Sequence, residues 1–360
     1  TTLDDLLTVD YFPNTTQADM LKKQENLFKY LSEEYCGDVK YCAPPNPLGY
    51  WSKEPIAPAH RVAAAAVAVG STMYSLGGYD NVTSGPSPLV HAFTSSANTI
   101  SWTSAVAPLP TARHNLTASM SDNVVYAIGG QTSLCGGHPL PTVEALVPRL
   151  NKWSNKKPMP TARYSLASAA LDDGSILAIG GRSSQGVSAA VESYSADNDV
   201  WKTMPNMTVA REGLCAGLIN GVVYVAGGFD GTSFVATLEA LNPSTGKWVK
   251  KKAMTHARSG SVCAVVDGFF IVYGGRNAAG VSNHVEAYSP DNDTWTMRTS
   301  GDVPLWLGSG AGLTDASEMT DKMFVAGGTQ ELPIDRDCAG MGSMRMNFTT
   351  GSYVRSSPAL

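Results

Sequence analysis

The stretch that decides the fold is YGGRNAAGVSNHVEAYSPDNDTW, Tyr273–Trp295. Two glycines end a β-branched apolar run, a variable loop follows, and a Val-Glu-Ala-Tyr run leads through an Asn/Asp turn to a tryptophan. Apolar runs this short and this rich in β-branched and aromatic residues are typical of strands rather than helices. The fold then depends on how often the same order of features returns along the chain.

The same order of features returns six times. Double glycines end apolar runs at Gly77-Gly78, Gly129-Gly130, Gly180-Gly181, Gly227-Gly228, Gly274-Gly275 and Gly327-Gly328. Six of the seven tryptophans follow the same period, and only Trp306 does not. The periodic ones are Trp51, Trp102, Trp153, Trp201, Trp248 and Trp295. A period of about 50 residues predicts an array of similar structural units.

Each unit reads as four short strands. The first strand is rich in small residues, as VAAAAVAV from Val62 shows, and small side chains suit strands that crowd around a central axis. Four antiparallel strands cannot bury both faces alone, whereas six such sheets arranged radially stack face to face and shield their edges. The sequence therefore predicts an all-β fold, a six-bladed β-propeller over residues 49–360.

The double glycine with a downstream Tyr or Leu and Trp resembles the Kelch repeat over about residues 49–355. Tyr273–Trp295 matches that pattern best, and blades one and six match it least. The resemblance implies that the loops between second and third strands project from one face and help to form a binding surface. It also implies that Arg182 and Arg276, each directly after a double glycine, can contact acidic groups of a ligand.

The residues that differ between blades are the better candidates for function, because loops on a rigid scaffold change without altering the sheets. They follow the double glycines. We predict ligand contacts by Tyr79, Gln131, Arg182, Phe229, Arg276 and Gln330. The predicted function is an interaction module that binds a protein or a glycan through these loops.

Arginines and glutamates recur at fixed places in the repeat. The arginines that open inner strands are Arg61, Arg113, Arg163, Arg211 and Arg258, with Leu307 expected in that place in blade six. The third strands of blades two to five carry Glu144, Glu192, Glu239 and Glu286. A role copied from blade to blade favours structural ion pairs or backbone anchoring, because a binding site needs asymmetry. An anion-binding mouth is the alternative.

The ring can close in two ways. Trp51 precedes Arg61 by the same ten residues that separate Trp153 from Arg163, yet no double glycine comes before it. This spacing favours Trp51 as a strand that completes the last blade, with Tyr353 leaving along the rim. The alternative rests on NFTTGSY, Asn347–Tyr353, which aligns with the end of blade four and would close blade six with its own Tyr353.

Residues 1–48 lie outside the repeat. Thr16–Asp19 resembles a capping box, and apolar residues follow it at helical spacing. These features predict a helical N-terminal extension that packs on the propeller. Docking of this extension onto a partner, as an assembly contact, is the alternative.

Composition excludes two classes of partner from the prediction. The net charge is −5, and the longest basic run is Lys250–Lys252, so there is no electrostatic footprint for nucleic acid. No apolar run reaches 18 residues, so no transmembrane segment is expected. The chain starts at Thr1 with neither Met nor an apolar signal segment, and we expect it to be processed or trimmed.

Cysteines and glycosylation motifs favour an oxidising, secretory setting. The candidate acceptors are Asn14, Asn81, Asn115, Asn206, Asn292 and Asn347. The disulfide candidates are Cys36, Cys42, Cys135 and Cys338, while Cys215 and Cys263 lie in inner strands of adjacent blades as free thiols or a bridge. We predict a secreted glycoprotein, with an organelle lumen as the alternative address.

No recognisable catalytic set stands out. The six histidines lack the spacing of a metal site, and His60, His114 and His256 flank the repeated arginines, where structural roles are expected. Asp335 and Asp337 form an acidic pair in a loop. No cofactor is predicted. The alternatives are a propeller enzyme acting on carbohydrate (an oxidase, epimerase or lyase, with copper as the main cofactor alternative) and a structural subunit of a larger assembly.

Overall fold

The computed structural model describes residues 50–54, 57–59, 61–80, 85–96, 99–133, 138–301, 304–315, 320–329 and 352–356. Within these residues, six four-stranded antiparallel sheets follow one another, which confirms the predicted six-bladed propeller. The propeller lies in a compact unit, Leu48–Ser357. The predicted helical extension, 1–48, lies outside the described residues. The boundary between this extension and the propeller domain, 49–360, stays a prediction.

Every blade has an inner, a second, a third and an outer strand. The inner strands are Ala65–Val69, Thr117–Ser121, Ala167–Ala170, Cys215–Ile219, Val262–Val266 and Ser309–Asp315. The second strands are Thr72–Leu76, Val124–Ile128, Ser175–Ile179, Val222–Ala226, Phe269–Tyr273 and Thr320–Ala326. The third strands are Val90–Ser96, Val143–Val147, Val191–Ser195, Leu238–Asn242, Val285–Ser289 and Ser352–Ser356. The outer strands are Thr99–Thr103, Lys152–Lys156, Val200–Met204, Lys247–Lys251, Thr294–Arg298 and Tyr50–Glu54.

Short elements decorate the blades. Two-residue strands occur at Arg61–Val62, Tyr79–Asp80, Gly85–Pro86, Arg182–Ser183, Gly186–Val187, Arg276–Asn277 and Gly280–Val281. A 3-10 turn, Pro148–Leu150, precedes the outer strand of blade two.

The hydrophobic core is divided among the interfaces between blades. The described residues form six apolar clusters, each shared by two neighbouring blades. The second strands supply much of it: Leu177 and Val223 are fully buried, since both faces of their strands meet a neighbouring blade. At the centre the strands approach so closely that a Cβ on Gly217 would come within 3 Å of Val265. This crowding confirms the predicted reason for small inner-strand residues.

The N-terminal strand closes the ring. Tyr50–Glu54 pairs with Ser352–Ser356, placing Trp51 opposite Arg355, and Ser352–Ser356 pairs in turn with Thr320–Ala326. The prediction that Trp51 completes blade six is therefore confirmed. The prediction that Tyr353 leaves along the rim is wrong, because Tyr353 lies in the third strand between two hydrogen-bonded neighbours. The alternative, in which Tyr353 forms the outer strand of blade six, is also wrong, because Tyr50–Glu54 holds that place.

A closed circle of backbone hydrogen bonds surrounds the axis where the inner strands begin. We call its members the axial ring: Ala63, Asn115, Ser165, Gly213, Gly260 and Leu307. All six have left-handed φ values between 50° and 67°. The N–H of each donates to the carbonyl of the ring residue in the preceding blade over 2.8–3.0 Å. Leu307 belongs to this ring, so its predicted place as the counterpart of the arginines is wrong; Leu305 holds that place.

The double glycines form a second set of joints between blades. The second glycine of each pair donates its N–H to the carbonyl of the repeated arginine in the next blade, or of Leu305, over 2.7–3.1 Å. A Cβ on the first glycine would lie less than 3 Å from that same carbonyl oxygen, and its φ is positive. Only glycine fits this close approach without strain. The most regular sequence feature is thus a structural joint.

Removing the closing strand should weaken the ring. A chain that begins at Ala57 lacks Tyr50–Glu54, which leaves the edge of Ser352–Ser356 unpaired. We expect its unfolding temperature to fall by about 5 °C relative to a matched chain that begins at Gly49 and keeps the strand. Differential scanning calorimetry measures the difference. Equal unfolding temperatures for the two truncated chains would contradict the closing role.

Candidate binding face

The repeated arginines are buried, not displayed at a mouth. Four of them pair with the recurring glutamate of their own blade: Arg113–Glu144 at 2.5 Å, Arg163–Glu192 at 2.7 Å, Arg258–Glu286 at 3.0 Å, and Arg211–Glu239. All four arginine side chains are 0% exposed. The predicted structural role is confirmed, because a ligand in the mouth cannot reach these guanidinium groups.

Each arginine also anchors backbone. Arg163 donates to the carbonyls of Gly180 and Ala190 over 2.7 and 2.9 Å. Burial lowers its pKa from the usual value, and Glu192 acts in the opposite direction. A buried charge that has its carboxylate and its carbonyls is satisfied, whereas one that lost Glu192 would not be. These arginines therefore hold the second and third strands to the start of the blade.

Blade one departs from this pattern. Its arginine, Arg61, donates to the carbonyls of Gly77 and Leu89 over 2.5 and 2.6 Å, and His91 stands where blades two to five have glutamate. Nδ1 of His91 lies 3.2 Å from Arg61. Burial and the neighbouring guanidinium lower the pKa of His91 to about 4, and burial lowers that of Arg61 to about 10. His91 is thus a neutral acceptor at physiological pH.

The variable residues come together on one face. In every blade, the residue directly after the double glycine pairs through its backbone with the residue directly before the axial ring of the same blade. The pairs are Val62–Tyr79, His114–Gln131, Tyr164–Arg182, Glu212–Phe229, Ser259–Arg276 and Trp306–Thr329. Second-to-third-strand loops and outer-to-inner connections leave the same end of an antiparallel sheet. We call this end the loop face.

Two of the predicted contact residues, Tyr79 and Gln131, lie on the loop face in blades one and two. Tyr79 packs edge-on against His114 with ring centroids 5.7 Å apart. Gln131 is only 6% exposed. His114 is buried, and burial lowers its pKa to about 4. Gln330 lies outside the described residues. Gln131 therefore offers little side-chain surface to a ligand, whereas Tyr79 is partly exposed.

Arg182 is engaged by a neighbouring blade. Its Nε and a terminal nitrogen donate to the two carboxylate oxygens of Glu212 over 2.7 and 2.8 Å. This bidentate pair raises the pKa of Arg182. The resemblance to Kelch proteins implied that Arg182 contacts acidic ligand groups, but here an internal carboxylate already occupies that position. Sequence reasoning missed Glu212 because no period marks it.

Arg276 lies among aromatic rings. Its guanidinium carbon is 4.6 Å from the ring centroid of Trp306 and 5.5 Å from that of Phe234. Phe234 in turn packs against Phe229 at 5.3 Å. We call these four residues the aromatic–arginine cluster, and all four are partly exposed. Phe234 and Trp306 were missed at the sequence level, although Trp306 carried a signal as the single tryptophan off the period.

The remaining sites predicted from the sequence are the glycosylation acceptors, the disulfide candidates and the acidic pair, and many of them lie outside the described residues. Asn206 and Asn292 are exposed, whereas Asn115 is in the axial ring with Nδ2 3.0 Å from Nδ1 of His114. Asn14, Asn81, Asn347, Cys36, Cys42, Cys135 and Cys338 fall outside the described residues, as do His60, Asp335 and Asp337.

The described residues contain neither a group of potential metal ligands nor a helix able to span a membrane. Among the described residues, no three His, Cys, Asp or Glu side chains are grouped so that they could hold a metal ion. In that same part of the chain, no helix is long and apolar enough to cross a bilayer.

Two models of known protein families match the repeats of this chain. A family model described as the KLHDC2/KLHL20/DRC7 Kelch-repeats domain matches residues 49–228, half of the chain, and a Kelch motif model matches 210–255 and 257–300. The chain belongs to the Kelch-repeat family. One solved structure similar to this Kelch propeller is titled "Structure of YjhT", with a TM-score of 0.65 and 14% identity. The match covers 78% of this chain and 94% of that one, and it shows the fold alone. No curated protein sequence matches significantly.

The neutral histidine of blade one should make the propeller sensitive to acid. Because the folded pKa of His91 is about 4 and its ordinary value is 6.5, the unfolded chain binds the extra proton first. The contribution of neutral His91 to the free energy of unfolding is fully present above about pH 6.5 and is lost as the pH falls toward 4. We expect His91→Gln to flatten this decline by up to about 1.4 kcal/mol per pH unit.

Urea unfolding between pH 4.5 and 7.5 measures the decline. His138→Gln is the matched control, because the His138 side chain is exposed and the substitution should leave the wild-type slope unchanged. A His91→Gln slope equal to that of wild type would show that His91 does not titrate in this window.

Proposed function

We propose that this Kelch propeller is a protein-binding module that captures an acidic segment of its partner on the loop face. The observation that carries the proposal is the aromatic–arginine cluster, in which Arg276 stacks on Trp306 and Phe234. Family membership supports an interaction module in general. The chemistry of the cluster supports the acidic partner.

The composition of the cluster is that of a binding hot spot. Trp and Arg are enriched among the residues that dominate binding energy. In this cluster both are partly exposed before a partner binds. Stacking holds the Arg276 guanidinium against two rings, so less conformational freedom is lost when a ligand binds. A planar guanidinium has five N–H donors that match the geometry of a carboxylate. An Asp or Glu side chain flanked by apolar residues fits both parts of the cluster.

The aromatic neighbours of Arg276 distinguish its surroundings from those of Arg182. The carboxylate of Glu212 holds Arg182 through two hydrogen bonds. Arg276 lies against the rings of Trp306 and Phe234, so an acidic side chain bound there would have apolar surface beside it. The proposed site is therefore centred on Arg276, and the sequence did not distinguish the two arginines.

Three other functions remain as alternatives. A glycan partner is compatible with the cluster, because aromatic faces also stack on sugar rings. A carbohydrate-directed enzyme and a structural subunit that makes an assembly contact through residues 1–48 are the remaining predictions. Metal analysis of the native protein addresses the enzyme, since stoichiometric copper would favour it.

Substitution of Arg276 should abolish selection of acidic peptides. A phage library of random 12-residue peptides is panned on the wild-type chain, and the enriched peptides are titrated against Arg276→Ala and Trp306→Ala. We expect Asp/Glu-containing peptides whose affinity falls at least about tenfold for each variant, as truncation of a hot-spot residue costs more than about 1.4 kcal/mol. Fluorescence anisotropy measures the affinities.

Arg149→Ala is the control, because Arg149 lies in the 3-10 turn at the opposite end of blade two. It should bind as the wild type does. Peptides that bind all variants equally, or a library that yields no acidic sequence, would contradict the proposed site. Binding on a glycan array, lost in Arg276→Ala and without any peptide enrichment, would assign the same cluster to a glycan instead.

We further propose that the protein is secreted and carries N-glycans at Asn206 and Asn292. Both side chains are exposed, whereas the Asn115 amide is held in the axial ring beside His114. Expressed through the secretory pathway of a eukaryotic cell, the chain should lose mass on treatment with N-glycosidase. The variant Asn206→Gln/Asn292→Gln should lose less. A secreted chain whose mass is unchanged by the enzyme would contradict this proposal.

A further inference from the structure

Two free thiols face each other between blades four and five. Cys215 begins the inner strand of blade four, and Cys263 is the second residue of the inner strand of blade five. Both belong to the apolar cluster shared by these blades, with Cys215 2% exposed and Cys263 partly exposed. The Cys215 thiol also contacts the carbonyl of Ser261 at 3.7 Å. Both cysteines are reduced in the structure.

The internal repeat shows how close such a pair lies. Cys215 and Thr117 both come two residues after the axial ring, and Cys263 and Ser168 both come three residues after it. The Thr117 and Ser168 hydroxyl oxygens, between blades two and three, are 2.8 Å apart and hydrogen-bonded. The two cysteines thus replace a hydroxyl pair in direct contact. A disulfide needs about 3.5–4.5 Å between Cβ atoms, which a side-chain contact of this length brings within reach.

We propose that Cys215 and Cys263 are a redox pair that closes into a disulfide between blades four and five. The oxidant is a small disulfide such as oxidised glutathione. One cysteine thiolate attacks it, forms a mixed disulfide and releases one reduced glutathione. The second thiolate then attacks the protein sulfur of the mixed disulfide, which breaks the bond to glutathione, forms the Cys215–Cys263 bond and releases the second reduced glutathione. Two protein thiols are oxidised and one glutathione disulfide is reduced to two thiols.

The environments of the two thiols assign the order of attack. Cys263 is partly exposed, so a small disulfide can reach it. Cys215 is buried, and burial raises the pKa of its thiol well above the ordinary value, with Cys263 acting in the same direction. A buried thiol of raised pKa is a poor first nucleophile. Cys263 therefore takes the mixed disulfide, and Cys215 resolves it.

The bond would lie directly below the loop face. Gly213 and Gly260, the axial-ring residues of these blades, precede the two cysteines, and the hydroxyl of Ser259 donates to the carbonyl of Glu212 across the same interface over 3.3 Å. Joining the two strands covalently fixes the spacing of blades four and five where they carry the loop residues. The redox state would thus determine how rigid this half of the face is.

Peptide mapping of the folded full-length chain tests the pair. The reduced protein is incubated with millimolar oxidised glutathione at neutral pH, its free thiols are alkylated, and it is digested with trypsin without reductant. We expect the fragments Glu212–Lys247 and Ser259–Arg276 to be linked, and to separate after reduction. The oxidised chain should unfold about 4 °C above the reduced one.

The matched control is Cys215→Thr/Cys263→Ser, which reproduces the Thr117–Ser168 pair and should fold normally. Its unfolding temperature should not respond to the oxidant in this way. Absence of the linked fragments at every glutathione ratio, or their formation only in denaturant, would overturn the proposal. Stable mixed disulfides on Cys263 without a linked fragment would overturn it as well.

Discussion

The propeller depends on the hydrogen bonds that join each blade to the next around the axis. Each of the six left-handed residues of the axial ring donates one N–H···O=C bond to the member in the preceding blade, and the bond from Ala63 to Leu307 closes the circle. Left-handed backbone is costly for Leu307 and for the other ring residues with side chains, so the surrounding blades must hold it. A closed ring shares this cost, because no member can relax without breaking two bonds.

The other repeated features support this ring. The double glycines let the carbonyl of the next blade approach closely, and buried arginines tie the second and third strands to the ring. Since these joints use backbone groups and buried ion pairs, they demand little of the exposed loops. The loop face is therefore free to vary, and among the described residues this variation places the aromatic–arginine cluster in blades four to six.

Departures from the repeat are the informative positions. His91 replaces a glutamate and leaves blade one with an uncharged partner for its arginine. Trp306 is off the tryptophan period and supports Arg276. Cys215 and Cys263 stand at the positions of Thr117 and Ser168, which form a hydroxyl pair between blades two and three. Each departure puts a group with its own chemistry into a position that the scaffold already holds, so rigidity and function are separated within one repeat.

The sequence by itself determined the number of blades and the four-strand unit, because a period repeated six times leaves one arrangement that buries every sheet. It favoured Trp51 as the closing strand and kept Tyr353 as the alternative, and only the strand pairing decided between them. It also predicted that the repeated arginines are structural. It misplaced the blade-six counterpart by two residues, as Leu305 and Leu307 are equally apolar and only the hydrogen bonds distinguish them.

The tertiary structure alone decided which loop residues meet. Glu212 neutralises Arg182, and Phe234 and Trp306 flank Arg276, although these partners are about 30 or more residues apart in the chain. Such contacts cross from one blade to another, and their distance depends on how neighbouring blades are rotated about the axis. No local pattern encodes that rotation. The physical reason is that strand propensity acts within a blade, whereas a binding face is assembled between blades.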